Sequence, residues 1–264
     1  MSKNLALRLA VAAAGIPALL AMAYYGGYYL LAFGMLLAGL GSHEIVAMAK
    51  NKGFSVNHFW TILLPVSCVI AAYIDFSITY VLCVSLMIYC TIVVLKGETS
   101  RFFEQLSIYL LPTIYIGLLG AIIIFLGTMY PIGNRLLILT FLVVWAVDTA
   151  AYFGGRAWGK KKLAPAISPH KTWAGFYAGF IGALVAAVVS KLIFLHIGWL
   201  QVIIMAFLAC LFGQIGDLME SGLKRYFGVK DSSTILPGHG GILDRFDSLL
   251  FAAPTVYFVA VFWR

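Results

Sequence analysis

Apolar residues along this chain run in long unbroken blocks. They lack the alternation of a half-buried strand and the narrow stripe of an amphipathic surface helix. Nine blocks stand out, at approximately 7–25, 28–48, 58–74, 77–95, 107–127, 135–154, 173–194, 199–217 and 247–263. Each is close to the roughly 20 residues that a helix needs to cross a bilayer. A spanning segment must satisfy its own backbone polar groups, and a continuous apolar run does so only as a helix. The short alternating strands of a membrane barrel are not seen. The pattern therefore predicts an all-α, polytopic transmembrane helical bundle of about nine spans, forming a single integral membrane domain over residues 1–264. Gly26-Gly27 reads as a tight turn, and the glycines of the second block suit close helix packing. Asp75 is almost the only break between the third and fourth blocks.

Composition sharpens this picture. The chain is 62% hydrophobic and 11% charged, where a soluble domain carries about 25% charged residues. No polar stretch is long enough for a soluble domain. The N-terminus imitates a secretory signal, with Lys3, Arg8, an apolar run and then Ala21-Met22-Ala23. That run continues into further membrane sequence, so it reads as a first span. Cys68, Cys83, Cys90 and Cys210 lie inside apolar runs without CxxC spacing and read as small buried hydrophobes.

The net charge of +8 points to orientation in the membrane and anionic headgroups rather than to nucleic acid. With nine spans, 15 of the 18 basic residues fall on the side of the N-terminus, and only Arg135, Lys191 and Arg264 fall elsewhere. By the positive-inside rule the N-terminus and both long loops are cytoplasmic and the C-terminus is outside. Residues 1–130 read mainly as membrane-spanning scaffold, and the chemistry concentrates in 135–264.

Three features there are polar out of place. Asp148 lies about six residues inside the sixth span, roughly 9 Å deep. A carboxylate at such depth is costly unless it is paired or faces a polar cavity. A basic loop follows, in which Lys160 to Lys162 read as a solvated, topology-setting face. Ser168-Pro169-His170-Lys171-Thr172 then places hydroxyl, amide and cationic donors where the seventh span begins, which is a ready anion site. Finally, residues 217–247 hold Asp217, Glu220, Asp231, Asp244 and Asp247, five of the ten acids, with four basic residues, His239 and five glycines.

If the eighth span stays helical past the membrane surface, Asp217, Glu220, Ser221 and Lys224 share one face. Asp244, Asp247 and Ser248 repeat that spacing where the ninth span begins, although carboxylates there are also favoured by the helix dipole alone. Carboxylates without Cys or His partners suit a hard cation such as Mg²⁺, which keeps waters and substrate phosphates as further ligands. Two such ions would bridge an attacking and a leaving oxygen. Gly238, Gly240 and Gly241 would let backbone amides approach a phosphate. His239 reads as a phosphate donor or general acid, or equally as an ordinary loop residue.

The stretch SGLKRYFGVKDSSTILPGHGGILDRFD resembles the signature of phosphatidate cytidylyltransferases, the CDP-diacylglycerol synthases. Ser221, Lys224, Arg225, Lys230, Asp231, His239, Gly240, Gly241, Asp244, Arg245 and Asp247 match its pattern. Gly216, Asp217, Glu220 and Ser221 resemble a second family element, and Ser168, Pro169, Lys171 and Thr172 a third. The motifs cover only the C-terminal half. One position departs, since the family continues Trp-Glu-Gly where this chain has Trp173-Ala174-Gly175.

The resemblance implies that phosphatidic acid and CTP give CDP-diacylglycerol and pyrophosphate with Mg²⁺, one ion or two, in phospholipid biosynthesis. Asp217 and Asp244 would hold metal, with Asp148 and Asp247 as further carboxylates. Lys171, Lys224 and Arg245 would neutralise phosphate, and Lys230-Asp231 would order the loop. The remaining motif residues, Ser168, Thr172, Ser221, Arg225, Gly240 and Gly241, are expected to bind substrate, and His239 to join the catalytic set. A bacterial cytoplasmic membrane, with the site on the cytoplasmic side, is the expected location. Small-residue runs such as AGFYAGFIGALVAA permit helix contact within the chain or in a homodimer. Two other readings stand beside this one. One is a CTP-using lipid kinase of the polyprenol or phytol type. The other is a cation transporter with the buried acids as a relay, although no inverted repeat supports it.

Overall fold

The computed structural model describes residues 3–97, 100–235 and 240–263. Each of the nine apolar blocks is helical. In chain order the helices are α1 (Lys3–Tyr25), α2 (Gly27–Asn51), α3 (His58–Tyr73), α4 (Ile78–Lys96), α5 (Phe102–Leu111), α6 (Leu119–Thr128), α7 (Gly133–Trp158), α8 (Trp173–Ile193), α9 (Trp199–Tyr226) and α10 (Leu243–Phe262). A π-helical segment, Pro112–Leu118, joins α5 to α6. Pro112 lacks the N–H that an α-helical ladder would use, so the chain widens by a residue there and still continues as one rod.

Among the described residues, seven helical runs are long and apolar enough to cross a membrane: α2, α4, the continuous Phe102–Thr128 run, and α7 through α10. The protein is an integral membrane protein of helical type. The shorter α3, with 16 residues, is about 24 Å long, and Ala13–Tyr25 of α1 is likewise a short apolar helix.

The turns form where the sequence breaks. Gly26 and Gly27 both have positive φ, 59° and 53°, and this reverses the chain between α1 and α2. Asp75 takes φ 57° in the turn between α3 and α4.

By its internal packing the chain divides into two compact units. One comprises Met1–Phe125 with Tyr226–Arg245, the other Leu126–Arg225 with Phe246–Arg264. In the first unit several polar residues of the core pair with one another. Tyr89 and Tyr109 are both fully buried and stack with ring centroids 5.3 Å apart. The Tyr89 hydroxyl lies 2.9 Å from Thr113 Oγ1, and Tyr109 Oη accepts from the Asn57 N–H at 2.9 Å.

The second unit is dominated by α7 against α8. Small residues set their separation, since a Cβ at Gly154 would stand 2.4 Å from Ala178 Cβ, and one at Gly175 would stand 2.7 Å from the Ala151 carbonyl. Their connection departs from the all-α expectation. Lys162–Ala164 (β1) and Ser168–Thr172 (β2) form an antiparallel hairpin in which Lys162 faces Thr172 and Ala164 faces Ser168. The two flanking helices bring the ends of this short connection together, and pairing then satisfies its backbone. Hydropathy carries no signal for such a device.

Candidate active site

In the second unit a cavity of about 470 Å³ opens between α7, the hairpin, α8 and α9. Asp148 of α7 lines it, as do His170, Lys171 and Thr172 of β2 and Asp217 of α9. The deep carboxylate, the Ser-Pro-x-Lys-Thr element and the first acid of the 217–247 stretch therefore share one wall.

Each is placed by a local device. Thr172 is the N-cap of α8, and its hydroxyl accepts from the Gly175 N–H at 3.2 Å. The Trp173 N–H donates to the Lys161 carbonyl at 3.0 Å, which closes the hairpin. Lys171, one residue before the cap, reaches Asp217 Oδ2 at 2.5 Å. Both side chains are partly exposed, 26% and 34%, so the pair lies at the cavity wall and is not sealed in a core.

Helix α9 continues nine residues past Asp217 to Tyr226, as the shared-face reading of Asp217, Glu220, Ser221 and Lys224 requires. Glu220 is fully buried and pairs with Lys224 at 2.5 Å, one turn on. Asp247, also buried, comes up against this face because Gly216 lets α10 approach. A Cβ at Gly216 would stand 2.7 Å from the Asp247 carbonyl and 2.9 Å from the Phe251 ring. Asp247 lies within Coulombic reach of Asp217, Glu220 and Asp148. Asp148, Asp217, Glu220 and Asp247 thus stand within electrostatic range of one another in this unit.

Three polar cavity residues lie outside the motifs. Tyr152 and Arg156 follow Asp148 at successive four-residue steps on α7, with Arg156 Nη1 3.3 Å from the Tyr152 hydroxyl. Gln214 precedes Asp217 by three on α9 and donates to the Phe176 carbonyl at 3.4 Å. Helical spacing from the two aspartates was the available signal for all three.

The first unit holds the motif from Tyr226 to Arg245. Asp244 Oδ2 accepts from the Gly241 N–H at 2.8 Å and the Ser232 N–H at 3.0 Å. Glu44 of α2, fully buried, accepts from Ser232, Ser233 and the N–H groups of Ile242 and Leu243. Glu44 lies outside the motifs, and a lone acid at membrane depth was the available signal for it.

The glycine pair has a definite use here. Gly240 has φ 82°, and a Cβ at Gly241 would stand 1.9 Å from Ser232 Oγ and 2.6 Å from both Glu44 carboxylate oxygens. Lys230, Asp231 and Arg245 are exposed, and Arg225 donates to the Ile167 carbonyl at 3.3 Å. Ser168 pairs within the hairpin, and Ser221 is half-buried on α9. Gly238 and His239 lie outside the described residues. Nothing in the structure explains Ala174.

Carboxylate oxygens are the donor type that Mg²⁺ prefers. Among the described residues no three His, Cys, Asp or Glu side chains are gathered to hold an ion by themselves. Mg²⁺ asks for less, because one or two carboxylates suffice when water and substrate phosphates complete its shell.

The model of the cytidylyltransferase family matches residues 6–263. The phosphatidate cytidylyltransferase of Bacillus subtilis strain 168 is 37% identical over 239 residues, covering 87% of this chain and 88% of the relative. That of Staphylococcus epidermidis is 36% identical over 242 residues, with the same coverage. That of Brucella suis is 48% identical over 134 residues, about half of each chain. With its whole length matched, the motif half and the membrane scaffold alike, the chain belongs to the cytidylyltransferase family.

Proposed function

We propose that the protein is a phosphatidate cytidylyltransferase. The lipid phosphate oxygen attacks the α-phosphorus of CTP, the bond from that phosphorus to the α–β bridging oxygen breaks, and pyrophosphate leaves. The observation that carries the reading is the cavity in which Asp148, the Lys171–Asp217 pair and the capped start of α8 face one another. A phosphate monoester is already a competent nucleophile, so catalysis asks mainly for positioning and charge neutralisation. Lys171 supplies a mobile cation for a phosphate and, in doing so, releases Asp217. Arg156 adds a second cation to the same wall.

Mg²⁺ would be held by Asp217 with Asp148 and Asp247 beside it, and the motif makes Asp244 of the first unit a candidate metal ligand in its own right. When bound it would neutralise the triphosphate and polarise its oxygens. Lys224, Arg225, Lys230 and Arg245 are the remaining cations of the motif. We assign nine spans with the N-terminus in the cytoplasm, which the distribution of basic residues supports. The cavity then lies on the cytoplasmic side of a bacterial cytoplasmic membrane, where CTP arrives from solution and the lipid phosphate enters sideways.

The test is incubation of purified protein with labelled CTP, phosphatidic acid and Mg²⁺, with both products identified. CDP-diacylglycerol and pyrophosphate are expected, whereas CDP with a newly phosphorylated lipid would mark a kinase. Asp217→Asn and Asp244→Asn should each lower the rate by about 100-fold or more, the scale seen when a charge-stabilising group is lost. Near wild-type rates from both would remove the metal assignment.

A further inference from the structure

Glu44 lies far from the motif half in sequence, on α2, yet its side chain is fully buried against the motif's last turn. Oε1 accepts from Ser233 Oγ at 2.6 Å and from the Ile242 N–H at 2.8 Å. Oε2 accepts from Ser232 Oγ and from the Leu243 N–H, each at 2.8 Å. Leu243 opens α10, and the first N–H groups of a helix have no partner within it. Glu44 therefore caps α10 from another helix, at the end where the dipole favours negative charge.

The same contacts lead to Asp244. Ser232 Oγ stands 3.0 Å from Asp244 Oδ2 as well as 2.8 Å from Glu44. Its single proton bridges two carboxylates, and Asp244 also takes the Ser232 and Gly241 N–H groups. The N–H groups of Gly241, Ile242 and Leu243 are thus bound in succession by Asp244, Glu44 and Glu44. This binding fixes the turn of backbone that leads into Asp244.

We propose that Glu44 is a positioning residue of the cytidylyltransfer reaction, clamping the turn at 240–243 and the 232–233 serines so that Asp244 is held in one orientation. The proposal rests on the function assigned above. It requires a carboxylate in particular. In Glu44→Gln, whichever way the amide lies, its NH₂ meets the N–H of Ile242 or of Leu243, donor against donor. A serine hydroxyl rotates to accommodate that change, and a backbone N–H does not. Misplacing a catalytic group by about 1 Å is enough to cost 100-fold, so the loss belongs in kcat.

The experiment compares wild type, Glu44→Gln and the milder Ser233→Ala in detergent, by steady-state kinetics and by hydrogen–deuterium exchange of the peptide covering 240–245. Glu44→Gln should lower kcat by at least tenfold, with KM for CTP changed less than threefold. Amide exchange should rise at least tenfold at 241–243 and stay unchanged in α7 and α8. Ser233→Ala should fall between it and wild type in both measurements. A Glu44→Gln kcat within twofold of wild type overturns the proposal, and so does exchange that accelerates throughout the chain. If wild type makes no CDP-diacylglycerol, the assigned function fails instead, and the exchange result still reports on the clamp.

Discussion

Gly241 shows how closely the first unit's polar cradle is built. Any side chain there would overlap Ser232 Oγ and crowd both oxygens of Glu44. Gly241→Ala should therefore displace the serine and the buried carboxylate together. We expect at least a tenfold loss of kcat in a protein that still inserts and purifies, measured by CDP-diacylglycerol formation. Lys171 acts differently. It is partly exposed and paired with Asp217, so removing its charge leaves a solvated carboxylate and little folding cost, because such pairs contribute only about 0–1 kcal/mol. Lys171→Met should raise KM for CTP or lower kcat by tenfold or more while the melting temperature moves only slightly, and that split separates a phosphate ligand from a structural ion pair.

At the scale of elements, the α7–α8 hairpin is the scaffold of the cavity, and small residues make it possible. Gly154 and Gly175 allow backbone-level contact, which in a membrane supplies the van der Waals packing that drives helix association. Gly154→Leu cannot be accommodated beside Ala178. It should lower the thermal midpoint in detergent markedly and take activity with it. Thr172→Ala removes the N-cap of α8, at a cost of about 1 kcal/mol. That variant tests whether the β-hairpin alone holds Lys171 over Asp217. Helix α9 was expected to leave the membrane near 217 and continues to Tyr226. Its motif face is therefore one rigid surface, and Asp217 and Glu220 keep their spacing.

At the scale of the whole molecule, the assigned orientation is open to a direct check. In a cysteine-free background, Lys160→Cys should resist a membrane-impermeant maleimide in intact cells and Gly198→Cys should react. The reverse pattern would invert the topology. Much of the molecule was legible beforehand. The apolar blocks located every helix, because a bilayer leaves a spanning backbone no alternative to internal hydrogen bonding. The Gly26-Gly27 and Asp75 breaks located turns, since these residues tolerate positive φ. The hairpin at 162–172 was not legible, because its pairing comes from the two helices it connects and not from any strand pattern of its own.

The sequence by itself determined the helical membrane architecture, the clustering of carboxylates in its second half and the family to which those motifs belong. Each of these is written in local composition and spacing. Only the tertiary structure decided which residues face one another. It joined Asp148 to Lys171 and Asp217 around one cavity, and it brought Glu44 across 188 positions to Ser232. A buried carboxylate takes its partners from whichever donors packing places beside it, and that placement is a property of the folded chain.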